Sequence, residues 1–121
     1  MLTLTRLQRT FFASALAFAL QPTAYAAGQN QMTEMYAAMC AQAADMPKPH
    51  GEWDLKGNPK LPEYCACYSG LFGARAMNVA EQRQRNGGKA VGTAEEHTKA
   101  ELAMRNTCRK QLSLPEVANV K

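Results

Sequence analysis

The sequence predicts an all-α protein, a small three-helix bundle stapled by two disulfides and preceded by an N-terminal signal peptide. Three observations carry that prediction. Apolar residues recur at helical spacing in three separate stretches, with no strand-like alternation between them. Four cysteines, Cys40, Cys65, Cys67 and Cys108, fall one, two and one on those stretches. The chain also opens with the marks of export, which places the cysteines in an oxidising compartment where they bridge.

Arg6 and Arg9 precede the apolar run Phe11–Leu20, and Pro22 and the small-residue pattern Ala24-Tyr25-Ala26 follow it. A run of that length is too short for a hydrocarbon layer of ~30 Å, which needs about 20 residues. Residues 1–26 therefore read as a secretory signal peptide cleaved after Ala26 or Ala27, not as an anchor. The first cysteine, Cys40, lies far beyond the apolar run, which argues against a lipid-anchored protein.

Taking residues 1–26 from the 121 leaves 95, and losing Arg6 and Arg9 lowers the formal net charge from +4 to +2. So small a charge gives no electrostatic case for nucleic acid or an anionic membrane surface as partner. One domain of this size has a marginal core. Each disulfide adds ~2–4 kcal/mol, against ~5–15 kcal/mol for the whole net stability of a typical domain.

The first helix is expected over 30–46. Met32, Met35, Tyr36, Met39, Cys40 and Ala43 fall at i, i+3, i+4, i+7, i+8 and i+11, which makes one amphipathic face, and Pro47 ends it. Residues 47–61 hold three prolines and two glycines without a period and read as a loop. That loop carries the single tryptophan, Trp53, near His50. Trp53 either folds back over the open end of the bundle or, with His50, meets a partner.

The second helix is expected over 62–86, with Pro62 in its first turn, Glu63 near the positive dipole end and Gly87-Gly88 as the stop. One stripe is Cys65, Tyr68, Phe72, Ala76 and Val79, and a narrower one is Cys67, Leu71, Ala74 and Asn78, so this helix lies between two neighbours. Gly70 and Gly73 cost about 1 kcal/mol each relative to alanine, and with Ser69 and Ala74 they offer a smooth strip for close approach of another backbone. Glu81–Arg85 is polar all round and projects into water.

The third helix is expected over 93–113, opened by the capping box Thr93-Ala94-Glu95-Glu96. His97, Ala100, Met104 and Cys108 run down one face, and Arg109 and Lys110 sit in the last turn, where cations complement the dipole. The tail, 115–121, is expected to fray.

At about 100° per residue, Cys65 and Cys67 point roughly 200° apart and cannot bridge each other within a helix. Each reaches a different neighbour, and all four cysteines gather at one end of the bundle. Two pairings remain. Cys40–Cys67 with Cys65–Cys108 is slightly favoured over Cys40–Cys65 with Cys67–Cys108.

A Cys65–Cys67 pair joined to itself would instead be a site of thiol–disulfide exchange. Met32, Met35 and Met39 share a helix face, and thioethers select Cu(I), with His50 or His97 to complete such a metal site. The same methionine spacing also suits an adaptable contact surface. His50 and His97 have no nucleophile or carboxylate motif around them, and Gly87-Gly88 follows a helix where no phosphate loop would stand. The expected function is therefore non-enzymatic and without a cofactor: an exported protein of the bacterial envelope, periplasmic or released, that binds another protein as an inhibitor, secretion accessory or chaperone. Periplasmic Cu(I) binding and thiol–disulfide exchange are the alternatives.

Overall fold

Three helices, α1 (Thr23–Ala43), α2 (Leu61–Arg85) and α3 (Ala94–Gln111), and a short 3-10 turn at Trp53–Leu55 make up the computed structural model, which describes residues 23–118. No strand occurs among the described residues. Most of the expected signal peptide, residues 1–22, and the last three residues of the tail lie outside them.

α1 starts at Thr23, upstream of the expected start and through the expected cleavage position, where Ala24, Ala26 and Ala27 are strong helix formers. It ends at Ala43 rather than at residue 46. The amides of Ala44, Asp45 and Met46 turn back onto the carbonyls of Ala41, Gln42 and Ala43, three residues behind, so the last turn tightens ahead of Pro47. At the start of α3, Glu96 N–H donates to Thr93 Oγ1 (3.2 Å) and Thr93 N–H to Glu96 Oε2 (2.7 Å), which is the expected capping box.

The disulfides are Cys40–Cys65 and Cys67–Cys108, with Cα separations of 5.5 and 5.8 Å. This is the arrangement that the sequence disfavoured slightly. Cys65 shares its side of α2 with Ser69 and Gly73, which α1 covers, whereas Cys67 points to the flank that α3 reaches. As expected, all four cysteines lie at one end, together with Leu55, Tyr64 and Leu114, and Leu61, Tyr68 and Leu112 pack around them.

α1 packs along α2 and α3 packs on α2, but α1 and α3 make no comparable pairing among the described residues. The Cys-x-Cys spacing explains why. Two tethers about 200° apart hold α1 and α3 on nearly opposite sides of α2, too far round to close on each other. The bundle is therefore open along one edge.

Several expected faces shift accordingly. On α1, Cys40 is buried and Tyr36 half-buried, but Met35 and Met39 are 52% and 56% exposed. The bridge from Cys40 and the contact of Thr33 and Tyr36 with Gly73 aim the 33–36–40 line at α2 and turn the methionines outward. On α2, the second expected stripe is uncovered: Leu71, Ala74 and Asn78 are exposed, because α3 lies over the flank of Arg75 instead. Gly73 meets α1, whereas Gly70 faces open space.

The tail does not fray over its described part. Leu114 and Val117 are buried, and Asn106 grips Val117 from both sides: Val117 N–H donates to Oδ1 (2.8 Å) and Nδ2 donates to Val117 O (3.0 Å).

Candidate functional site

The open edge of the bundle is a groove floored by α2. Tyr68, Phe72, Ala76, Val79 and Arg83 succeed each other at i, i+4, i+8, i+11 and i+15, one stripe of a helix. At 1.5 Å per residue the stripe is about 22 Å long. Its near half is walled by Tyr36 and Met39 of α1 and encloses about 230 Å³. Its far half is walled by His97, Glu101 and Met104 of α3 and encloses about 470 Å³. Phe72 and Glu101 border both halves, so they join as one depression. The ring of Phe72 also meets Tyr36 edge-on at 4.7 Å and Tyr68 at 5.6 Å, which fixes an aromatic floor.

α2 and α3 are pinned at both ends of the far half, by Cys67–Cys108 at one and by the 86–93 connection at the other. Between the pins, Arg75 Nη2 bonds His97 Nδ1 (3.0 Å), and His97 Nε2 bonds the carbonyl of Val91 (2.7 Å). The carbonyl accepts only, so Nε2 carries the proton and Nδ1 accepts from Arg75. His97 is thus half-buried and spent on holding the groove wall.

The near end is closed by a polar clamp that no sequence signal marked. Glu52 is buried in the loop and receives Arg105 Nε (2.7 Å), Arg109 Nη2 and the Tyr64 hydroxyl (2.5 Å). Arg105 also donates to the carbonyls of Pro49 (2.7 Å) and Gly51 (2.9 Å), so it reads the loop backbone directly. Arg109, read from the sequence only as a cation complementing the dipole in the last turn of α3, has 0% of its side chain exposed. It donates to both oxygens of Asp54 (2.8 and 3.0 Å) and stands 5.4 Å from the Tyr64 ring centroid. The Arg109 hydrogen bond, opposed by partial desolvation, lowers the Asp54 carboxyl to about 2. Burial, and then the bond to Glu52, raises the Tyr64 hydroxyl well above its usual range, and burial does the same at Tyr68. Both phenols stay neutral and act as hydrogen-bonding and packing groups.

The residues singled out from the sequence are only partly brought together. His50 is exposed and lines the near half of the groove beside Met39. Trp53 does not fold over the bundle end. It is 57% exposed with the Lys56 ammonium 5.3 Å from its ring, because Leu55 takes the buried place two residues on. Its amide donates to Met46 O (3.2 Å), which sets it beside a third exposed methionine. Met32 is half-buried while Met35 and Met39 stand in solvent, and no group of three or more His, Cys, Asp or Glu gathers among the described residues. Cys65 and Cys67 are each joined to another helix, not to one another. No helix of the described residues is long and apolar enough to cross a membrane.

The arrangement offers an apolar trough with the exposed Met39 on its near wall, the form in which helices and extended segments are received. The sequence matches no protein-family model, and neither a curated protein nor a solved structure is significantly similar to it.

Proposed function

We propose that this chain is an exported, disulfide-stapled protein of the bacterial envelope that works by binding another protein in the groove along α2. One observation carries the reading: the stripe Tyr68, Phe72, Ala76 and Val79 is left open by helices that two disulfides hold apart. An apolar trough about 22 Å long is longer than an isolated surface residue requires, and apolar surface that a fold leaves accessible in this way marks interaction sites. Met39, exposed on the near wall, adds an adaptable side chain to the same surface. Export is supported by two bridges with no free cysteine among the described residues and by the charged, apolar and small-residue segments of the first 26 residues.

The test is partner capture with the oxidised mature chain. Wild type is expected to retain a discrete envelope protein, and Val79→Asp, which puts a carboxylate on the groove floor, to lose it while its helical circular dichroism shows that it remains folded. Equal retention by both, or no retained protein in repeated trials, would defeat the reading.

A further inference from the structure

We propose that the element received by the groove is an amphipathic helix of the partner protein, with acidic residues along the edge that meets Arg75 and Arg83. This rests on the binding reading above and adds the chemistry of the partner.

The shape points to a helix. α1 and α3 flank α2 on two sides, and the vacant strip of α2 between them is bordered by α1 side chains along its near half and by α3 side chains along its far half. A fourth rod there would pack on α2 at the usual 8–10 Å between axes. A floor about 22 Å long matches four turns. A bilayer surface is flat and does not enter a depression set between helices.

The charge points to acid. Most ionic groups at this end of the molecule are already matched within the chain: Arg85 with Glu81, Lys99 with Glu95 (2.8 Å), and Glu96 in the capping box. Arg75 and Arg83 are different. Arg75 gives Nη2 to His97, and Arg83 gives Nε to the Gly88 carbonyl (3.0 Å), but neither meets a carboxylate among the described residues. Both bonds hold the guanidinium in place and leave further N–H groups for a ligand. The two stand eight residues apart on α2, about 12 Å, which equals the rise between i and i+8 of a helix laid alongside. Carboxylates at that spacing would each accept charge-assisted bonds from one arginine. Glu101 of α3 lines the same half of the groove and is the one carboxylate among its lining residues, so the two arginines leave that half with a net positive charge.

The probes are two designed helical peptides of about 18 residues with the same leucine stripe, one carrying glutamate at i and i+8 on a single flank and the other lysine there. Anionic phosphatidylglycerol vesicles are a third probe. Binding to the mature, oxidised chain is read by fluorescence anisotropy. The glutamate peptide is expected to bind about tenfold more tightly than the lysine peptide, the effect of one charge-assisted hydrogen bond. Arg83→Glu, at an exposed position, is expected to abolish the preference, since Arg75 still favours one glutamate while the new carboxylate repels the other, with the helical circular dichroism unchanged. Equal binding of the two peptides by the wild type, a preference unchanged by Arg83→Glu, or vesicles bound in preference to both would each overturn the proposal. So would a dimer of the chain that Val79→Asp dissolves, since the groove would then belong to a second copy. If envelope capture still depends on Val79 while the peptides show no preference for acid, the binding reading stands and this inference alone falls.

Discussion

Arg109 of α3 and Glu52 of the loop between α1 and α2 are 57 residues apart in sequence, yet their charged groups meet where solvent reaches neither. Around that contact Arg105 adds a second guanidinium and Tyr64 a hydroxyl, so the carboxylate is bonded from three sides. The consequence is mechanical. A loop rich in proline and glycine, with few apolar residues of its own, is held to α3 by ionic hydrogen bonds, and it closes the end of the groove at which His50 stands.

Breaking this clamp by removing its acceptor should cost far more than an average substitution. Glu52→Gln keeps the shape but leaves the buried Arg105 without a carboxylate and Arg109 with Asp54 alone. A loss of about 3–5 kcal/mol is expected, as for other buried pairs deprived of one member. Urea unfolding of the oxidised protein measures it. A loss below about 1 kcal/mol would mean that the clamp is solvated and contributes as little as a surface pair.

The contrast between what was legible in the sequence and what was not follows from range. Helix number, the capping box at Thr93 and the gathering of cysteines at one end rest on local chemistry, and they appear as expected. The angle between Cys65 and Cys67 was equally readable, and it implies the open edge. The step from that angle to an unclosed bundle needed the three-dimensional arrangement of all three rods. The clamp was hidden because nothing local pairs Glu52 with Arg105 or Arg109. Arg109 sits in the last turn, where a helix end welcomes cations, so a dipole argument already accounted for it, and Arg105 stands mid-helix with no local signal of its own. The outward turn of Met35 and Met39 was hidden for a related reason: a methionine at helical spacing fits a core or a surface equally well, and here the position of Cys40 decides.

Acid should loosen the clamp through Asp54. Its carboxyl is lowered from an ordinary 3.8 to about 2, chiefly by the hydrogen bond from Arg109. A depressed carboxyl contributes stability that is full above its unfolded value and is lost as pH falls toward its folded one. The wild type should therefore melt higher than Asp54→Asn at pH 6, and the difference should shrink between about pH 4 and pH 2. Melting curves of both proteins across that window decide it. A constant difference would show that Asp54 acts by shape and not by charge.

Two glycines should respond to alanine with opposite signs. A Cβ on Gly51 would lie 2.0 Å from the Met46 carbonyl oxygen and 2.3 Å from its carbon, so the turn at 47–51 must move and carry with it the carbonyl that Arg105 binds. Gly51→Ala is expected to destabilise by ~1–3 kcal/mol, as overpacking does. Gly70 stands in mid-helix with nothing within 4 Å of a Cβ. Gly70→Ala should stabilise by ~0.5–1 kcal/mol, because alanine loses less backbone freedom in a helix. Paired urea titrations measure both, and equal signs would contradict the local geometry.

Asn106 should decide whether the tail stays docked. Its side-chain amide presents to Val117 one acceptor and one donor, the complement that a neighbouring strand would offer, and so satisfies both backbone groups of a residue whose side chain is buried. Asn106→Ala removes both partners at once. Water can replace them only if the segment lifts away, which would expose Val117 and then Leu114. The expected result is a modest loss of about 1–2 kcal/mol together with rapid hydrogen exchange at the Val117 amide, which is slow in the wild type. Asn106→Asp keeps an acceptor for the Val117 amide but offers no donor to its carbonyl, so it should preserve slow exchange better than alanine while still lowering stability. Identical exchange at Val117 in all three proteins would mean that burial of the valine, not the asparagine, holds the tail.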